Sequence, residues 1–120
     1  MHITEAELDV MNVVWANPGM NAVDVFKSLS EAKGWSVHTV KSLLSRLVEK
    51  GALSTELEGR RYLYSPAIRE TAYRQQAATR FVERVFAGRA APLVAHFANA
   101  KGLSDKDIEE LEDLLEQLKK

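Results

Sequence analysis

The sequence predicts a mainly α-helical protein with one small β-hairpin. Apolar residues recur at steps of three and four along most of the chain, which is the period of a helix with one buried face. Residues 53–65 are the exception, because they read as two short extended segments around a turn that contains glycine. Three helical segments precede this hairpin and only helical segments follow it. That order predicts a winged helix-turn-helix domain followed by a helical dimerisation region.

Each of the first two predicted helices starts at a residue that caps helices well. Thr4 and Glu7 have the spacing of a capping box, and Asn21 precedes a second helix with Asp24 in its first turn. The Asn-Pro-Gly stretch at residues 17–19 ends the first helix. The expected buried stripes are Leu8, Met11, Val14 and Trp15, then Ala22, Val25, Phe26 and Leu29.

The third predicted helix has an apolar face and a polar face along its whole length. Ser36 can cap it, and Gly51 supplies the left-handed residue that commonly ends a helix. The apolar stripe is Val40, Leu43, Leu44, Leu47 and Val48. The opposite face carries His38, Lys41, Ser42 and Ser45, with Thr39 and Arg46 on its flank.

A short hairpin follows this helix and carries two adjacent arginines. Its expected strands are residues 53–56 and 61–65, joined by a Glu58-Gly59 turn. A helix with a small, polar and cationic outer face, followed by such a hairpin, is typical of a recognition helix in the DNA major groove and a wing beside it. The residues predicted to contact DNA are Ser36, His38, Thr39, Lys41, Ser42, Ser45, Arg46, Arg60 and Arg61.

The alternative from another functional class is protein–protein assembly. A winged helix used for assembly, without sequence-specific DNA binding, has the same local pattern, and salt-sensitive affinity for DNA separates the two hypotheses. The net charge of the chain is only −1, but residues 36–68 carry +2 and residues 69–100 carry +3, whereas both ends of the chain are acidic. This distribution permits DNA binding without establishing it.

The residue types argue against several other functions. The absence of cysteine excludes disulfides, thiolate metal sites and thiol catalysis. His2, His38 and His96 form no metal-ligand motif, and no Gly-rich phosphate loop or catalytic triad can be identified. We therefore expect no metal, no cofactor and no enzymatic activity. The acidic start of the chain does not resemble a signal peptide and no apolar run is long enough to span a bilayer, so we expect a cytoplasmic protein without membrane insertion.

Residues 67–120 contain only helical patterns and are expected to form a dimerisation region, whereas residues 1–66 form the winged-helix domain. Helices are predicted over residues 68–87, around Pro92 and from Ser104 onward. A second copy of the chain would cover their apolar side chains, and the resulting two-fold axis suits a palindromic DNA operator. The alternative is that these helices cover the winged-helix core. The expected dimer contacts are Tyr73, Phe81, Phe97, Ile108, Leu111, Leu115 and Leu118.

Four segments together resemble the penicillinase-repressor family (BlaI and MecI), which also includes the copper-responsive CopY repressors. These segments are ITEAELDVMNVVW, VHTVKSLLSRLVEKGAL, EGRRYLYSP and GLSDKDIEELEDLL. The resemblance implies a homodimeric repressor with an amino-terminal winged helix and a carboxy-terminal dimerisation region. It also implies that the repressor leaves its promoter when a membrane sensor-protease triggers its cleavage.

The chain departs from the family pattern in two ways. The copper-responsive branch carries paired Cys-x-Cys motifs near its end, and this chain has no cysteine, so a thiolate copper switch is excluded. In the penicillinase branch the cleaved bond joins Asn to Phe, and the matching bond here joins His96 to Phe97. The resemblance therefore gives His96–Phe97 as the possible cleavage site, with the phenylalanine kept and the asparagine replaced.

Overall fold

The computed structural model describes all 120 residues as six α-helices and one two-stranded antiparallel sheet. The elements are α1 (Glu5–Ala16), α2 (Ala22–Lys33), α3 (Val37–Glu49), β1 (Leu53–Glu58), β2 (Arg61–Pro66), α4 (Glu70–Phe86), α5 (Ala90–Ala100) and α6 (Asp105–Leu118). The fold class predicted from the sequence is confirmed, with three helices before the hairpin and three after it. The chain forms two compact units, Met1–Tyr73 and Arg74–Lys120.

The first three helices begin at the predicted caps. The Thr4 hydroxyl accepts a hydrogen bond from the Glu7 N–H over 3.2 Å, and the Glu7 carboxylate accepts one from the Thr4 N–H over 2.9 Å, which completes the capping box. Asn21 caps α2 and Ser36 caps α3 by accepting hydrogen bonds from the N–H groups of Asp24 and Thr39. These local bonds fix where the chain enters each helix.

A Schellman motif ends α3 and leads directly into β1. Gly51 has a φ of 82°, and its N–H donates to the Val48 carbonyl over 3.0 Å. The N–H of Ala52 donates to the Leu47 carbonyl over 2.9 Å, which completes the motif. Because Ala52 and Leu53 are both buried, the turn anchors the base of the hairpin in the core of the first unit.

The core of the first unit lies among α1, α2, α3 and the start of the hairpin. Its buried side chains are apolar with one exception, Glu7, which is 1% exposed. The aromatic residues Trp15, Phe26 and Trp35 pack against this core and are half-buried. The buried apolar residues are Ile3, Val10, Met11, Val14, Val25, Leu29, Val40, Leu43, Leu44, Leu47, Ala52 and Leu53.

The buried face of α1 is rotated from the predicted stripe. Val10 is fully buried although the stripe did not include it, whereas Leu8 is only half-buried. The reason is that α1 contacts α2, α3 and β2, so neighbours surround it on more than one side. A prediction that assumes one buried face underestimates how many residues of such a helix are buried.

The hairpin is longer than predicted, and its turn lies one residue further along the chain. Glu58 pairs with Arg61 in the sheet, so the two-residue loop is Gly59-Arg60 and the expected Glu58-Gly59 turn was wrong. Gly59 has a φ of 67°, and glycine at the first loop position is the preference of a type II′ turn. Tyr64 bonds through its backbone to Met20 and Gly19, which holds β2 against the segment that leads into α2.

The second unit has no fully buried side chain in any of its helices. Ala87, with a φ of 51°, and Gly88, with a φ of 83°, end α4. Ser104 caps α6 by accepting a hydrogen bond from the Asp107 N–H over 3.0 Å. The helices predicted after the hairpin are therefore present, but they do not bury a core within a single chain.

Candidate nucleic-acid interface

The polar face of α3 lies on the surface because its apolar stripe is buried in the core. His38, Lys41, Ser45 and Arg46 are exposed on it. Thr39 and Ser42 are half-buried, at the edge of this face. α3 therefore presents two long cationic side chains, one imidazole and one small hydroxyl to solvent, an arrangement that fits into a DNA groove.

The hydroxyls at the start of α3 bond to each other. Ser36 Oγ accepts from the Thr39 N–H over 3.1 Å and lies 3.1 Å from the Thr39 hydroxyl. Two of the predicted DNA contacts, Ser36 and Thr39, are therefore part of the N-cap of α3. The remaining N–H groups of the first turn point along the helix axis, where a phosphate can be bound.

An open groove of about 690 Å³ lies between α2, α3 and the hairpin. Lys41 and Ser45 line it from α3, Arg60 and Arg61 line it from the hairpin, and Lys27 lines it from α2. Four cationic side chains share the groove with a single acidic one, Asp24. The local charge is therefore strongly positive although the chain as a whole is slightly acidic, and such a surface attracts a phosphate backbone.

The structure brings four of the nine predicted DNA contacts together in this groove, namely Lys41, Ser45, Arg60 and Arg61. The other five lie elsewhere on α3 or at its cap. Arg61 donates to the Glu58 carboxylate over 3.0 Å, and both side chains are about 60% exposed. An exposed pair of this kind contributes little to stability, so Arg61 can exchange Glu58 for a phosphate at small cost.

Among the groove residues that sequence reasoning missed are Lys27 and Tyr62. Lys27 stands on the exposed side of α2, away from its buried Val25 and Leu29, so the helical period alone could have marked it as a surface cation. Tyr62 is 52% exposed on β2. No sequence signal places it near α2, because only the pairing of Tyr64 with Met20 brings the hairpin there.

The phenol of Tyr64, also in the groove, stays protonated at neutral pH. Burial raises its pKa above the ordinary value of 10.0, and the neighbouring Tyr62 raises that pKa further. Tyr64 therefore adds a neutral hydrogen-bonding group to the groove and no negative charge that would repel DNA.

The predicted dimer contacts divide into two groups. Phe81, Phe97, Ile108, Leu115 and Leu118 are exposed on the second unit, and Leu111 is half-buried there. Tyr73 differs from these, because it is half-buried in the first unit with its ring 5.8 Å from that of Trp15. Tyr73 thus packs against the winged-helix core.

The possible cleavage site lies inside α5. His96 and Phe97 are both exposed, and their ring centroids are 6.0 Å apart. The bond between them has helical residues on both sides. None of the helices in the chain is both long and apolar enough to cross a membrane.

The fold and this cationic face define the class: a winged-helix protein of the DNA-binding type. Residues 3–117 match the family model described as penicillinase repressor. The chain therefore belongs to the penicillinase repressor family, as its motifs predicted. This is a family of transcriptional repressors, so the expectation that the chain is not an enzyme is also confirmed.

Individual relatives cover nearly the whole chain. The penicillinase repressor of Bacillus licheniformis is 38% identical over 117 residues, which are 98% of this chain and 91% of the relative. The methicillin resistance regulatory protein MecI of Staphylococcus aureus strain N315 is 28% identical over 94% of this chain and 92% of the relative. A solved structure of monomeric BlaI from B. licheniformis, in complex with the blaP half-operator, covers 61% of this chain and 89% of that one. Its identity is 42% and its TM-score is 0.54.

Proposed function

We propose that this chain represses transcription by binding a palindromic operator as a homodimer. The observation that carries the proposal is the convergence of cations from α2, α3 and the hairpin on one groove beside the exposed face of α3. The monomeric form of BlaI solved on the blaP half-operator, at 42% identity, supports the same use of this fold. Bound over a promoter, the protein would exclude RNA polymerase.

Two groups of cationic side chains have different roles in this proposal. Lys27, Arg60 and Arg61 contact phosphates, which gives affinity and register on any DNA. Lys41 and Arg46 reach base edges in the major groove, where their donors can pair with guanine. Only the second group carries sequence information, so the two groups have separable effects on affinity and on selectivity.

The exposed apolar side chains of the second unit support the dimer. Phe81 is 49% exposed, Phe97 44%, Leu115 56% and Leu118 81%. A group of large apolar residues on the surface of one chain marks an interaction site. A second copy is the partner proposed, because a two-fold dimer presents two α3 helices to the two halves of a palindromic operator.

Fluorescence anisotropy on labelled DNA tests the proposal. The purified protein is titrated against the DNA upstream of its own gene and against a scrambled duplex of the same composition, over a series of salt concentrations. We expect selective binding of two chains per site, with affinity that falls steeply as salt increases. Equal weak binding to both duplexes, or none, would refute operator binding and favour the assembly module.

Release of the operator by proteolysis at His96–Phe97 is the second part of the proposal. Proteases cleave extended backbone, so cutting this bond requires local unfolding of α5. Arg89 starts α5 without a side-chain cap, and its first turn holds no acidic residue. A helix with neither of these stabilising features opens more readily, and the peptide bond between His96 and Phe97 can then be cleaved.

Co-expression with a membrane sensor-protease of the penicillinase type tests this step. We expect mass spectrometry of induced cells to find a fragment that ends at His96, and His96→Ala, which changes the cleavage site outside the proposed dimer contacts, to reduce its formation while leaving repression intact. Derepression with a fully intact chain would contradict cleavage as the release mechanism.

A further inference from the structure

One lysine ties the carboxyl end of α3 to the beginning of α1. Lys50, the C-cap residue of α3, donates from Nζ to Glu7 Oε1 over 2.6 Å and to the carbonyl oxygen of His2 over 2.9 Å. The Lys50 side chain is 33% exposed and that of Glu7 only 1%. A buried carboxylate of one helix is therefore bonded to the end of the helix that carries the proposed base contacts.

The hydrogen bonding of the Glu7 carboxylate is incomplete, so stabilisation of the fold does not by itself explain the pair. Its Oε1 accepts from Lys50 and from the Thr4 N–H, whereas Oε2 is buried without a hydrogen-bond partner in the protein. Burying a carboxylate in this way is costly, and well-packed uncharged residues of similar size often give equal or greater stability. The best-attested use of such a buried polar pair is to fix one arrangement of the elements around it.

The other contacts of α3 do not provide this precision. The helix packs on the core through Val40, Leu44 and Leu47, and apolar contacts are non-directional, so they allow small rotations and translations. The two bonds of Lys50 have defined lengths and directions and act at the end of α3 opposite its Ser36 cap. Base readout requires side chains to be held within about 0.5 Å, which makes such a constraint valuable here.

We infer that the Glu7–Lys50 pair sets the position of α3 on α1 and thereby determines how strongly the protein prefers its operator over other DNA. The inference rests on the DNA-binding function proposed above. Phosphate contacts tolerate small shifts of α3, whereas base contacts do not. Removing the pair therefore weakens operator binding more than binding to scrambled DNA.

The double variant Glu7→Gln/Lys50→Met removes both charges and the bonds of Lys50 together. Because both charges are removed together, no buried charge is left unpaired. Glutamine can still accept from the Thr4 N–H, and methionine keeps most of the apolar length of the lysine side chain. The matched control is Asp9→Asn/Lys33→Met, which removes a partly exposed ion pair between α1 and α2, whose N–O distance is 3.2 Å. Both variants make the same change in charge.

Anisotropy titrations on operator and scrambled DNA measure the preference directly. We expect the ratio of the two affinities to fall about tenfold in the Glu7/Lys50 variant, the equivalent of roughly one lost base contact. The Asp9/Lys33 control and Lys50→Arg, which retains a cation for Glu7, are expected to keep most of the wild-type ratio. A folded Glu7/Lys50 variant with the wild-type ratio would overturn the inference and leave the pair with a structural role only.

Hydrogen exchange separates this inference from the proposed function. If the wild-type protein shows no operator preference, the proposed function fails. The exchange rates of the backbone amides at Lys50, Gly51 and Ala52 then test whether the pair holds the end of α3 in place. Exchange about tenfold faster in the Glu7/Lys50 variant, relative to the amides of α2, would mean that the pair holds the end of α3. Unchanged exchange would mean that it does not, and would overturn the inference independently of DNA.

Discussion

The indole N–H of Trp15 donates a hydrogen bond of 3.1 Å to the carbonyl oxygen of Ile68. The same indole ring lies 5.8 Å from the ring of Tyr73. α1 thus holds both the segment that follows the hairpin and the first turn of α4 against the winged-helix core. The first compact unit consequently extends to Tyr73, beyond the hairpin that ends at Pro66.

Trp15→Phe is expected to destabilise this attachment by about 1–3 kcal/mol, because the Ile68 carbonyl loses its partner and part of the ring volume is lost. Urea unfolding followed by circular dichroism measures the change. Trp35→Phe, at another half-buried position of the same core, is the control, because it removes a similar volume without breaking a hydrogen bond to a backbone carbonyl. Equal decreases in the free energy of unfolding of the two variants would show that the hydrogen bond to Ile68 contributes nothing measurable.

The features that the sequence predicted well depend on residues close together in the chain. The caps at Thr4, Asn21 and Ser36 each need two residues three apart, so their signal lies in one short segment. The buried stripe of α3 follows from the helical period. The hairpin turn was misplaced by one residue, because both placements contain Gly59 and only the pairing of Glu58 with Arg61 decides between them.

The features that the sequence could not predict join distant parts of the chain. Trp15 and Ile68 are 53 residues apart, and Glu7 and Lys50 are 43 residues apart. Lys27 and Tyr62 likewise line one groove only because α2 and the hairpin lie next to each other in three dimensions. Sequence periodicity identifies exposed and buried faces, but it does not state which faces meet.

Lys27→Ala tests the part of the groove that the sequence did not reveal. Because Lys27 is proposed to contact a phosphate, its loss should weaken binding to operator and scrambled DNA alike. The salt slope should decrease by about one. Lys33→Ala removes a cation from the other end of α2 and is expected to leave both quantities unchanged. A loss confined to the operator would instead assign Lys27 to base readout.

Glu58→Gln is expected to strengthen binding to any DNA about threefold, because it frees Arg61 from its ion pair and removes a negative charge near the phosphates. Glu56→Gln makes the same change in charge on the same strand, at a position paired with Leu63. A larger gain in DNA affinity for Glu58→Gln than for Glu56→Gln would identify Arg61 as the group that is released. Equal gains in the two variants would mean that only the net charge of the hairpin matters.

Leu115→Asp tests the proposed dimer surface with little effect on the fold of a single chain, since Leu115 is 56% exposed. Burying the new carboxylate against a second copy is unfavourable, so we expect the dimer dissociation constant to rise roughly a hundredfold. Sedimentation equilibrium measures this constant, and circular dichroism checks that the helices remain. Gln117→Asp introduces the same charge on α6 outside the leucine stripe and should leave the dimer intact. A Leu115→Asp protein that sediments as the wild-type dimer would remove α6 from the interface.

Glu7 should make the stability of the first unit depend on acidic pH. Burial raises the pKa of its carboxyl, but the hydrogen bonds from Lys50 and Thr4 outweigh this and hold the pKa below the ordinary value of 4.5. In the unfolded chain the carboxyl titrates near that ordinary value, so as the pH falls the unfolded state takes up the proton first. The stability that Glu7 contributes is therefore complete above the unfolded pKa and is lost as the pH falls through the folded pKa.

Urea unfolding at a series of pH values between about 6 and 3 measures this loss. The variant Glu7→Gln cannot titrate at this position and should show a shallower decline over the same range, whereas Glu5→Gln, at an exposed position in the same helical turn, should follow the wild type. The difference between the wild-type and Glu7→Gln curves isolates one buried carboxylate from the general effect of acid. Parallel curves for these two proteins would mean that the carboxyl of Glu7 has the same pKa in the folded and unfolded chain, and that its bond to Lys50 does not stabilise the charged form.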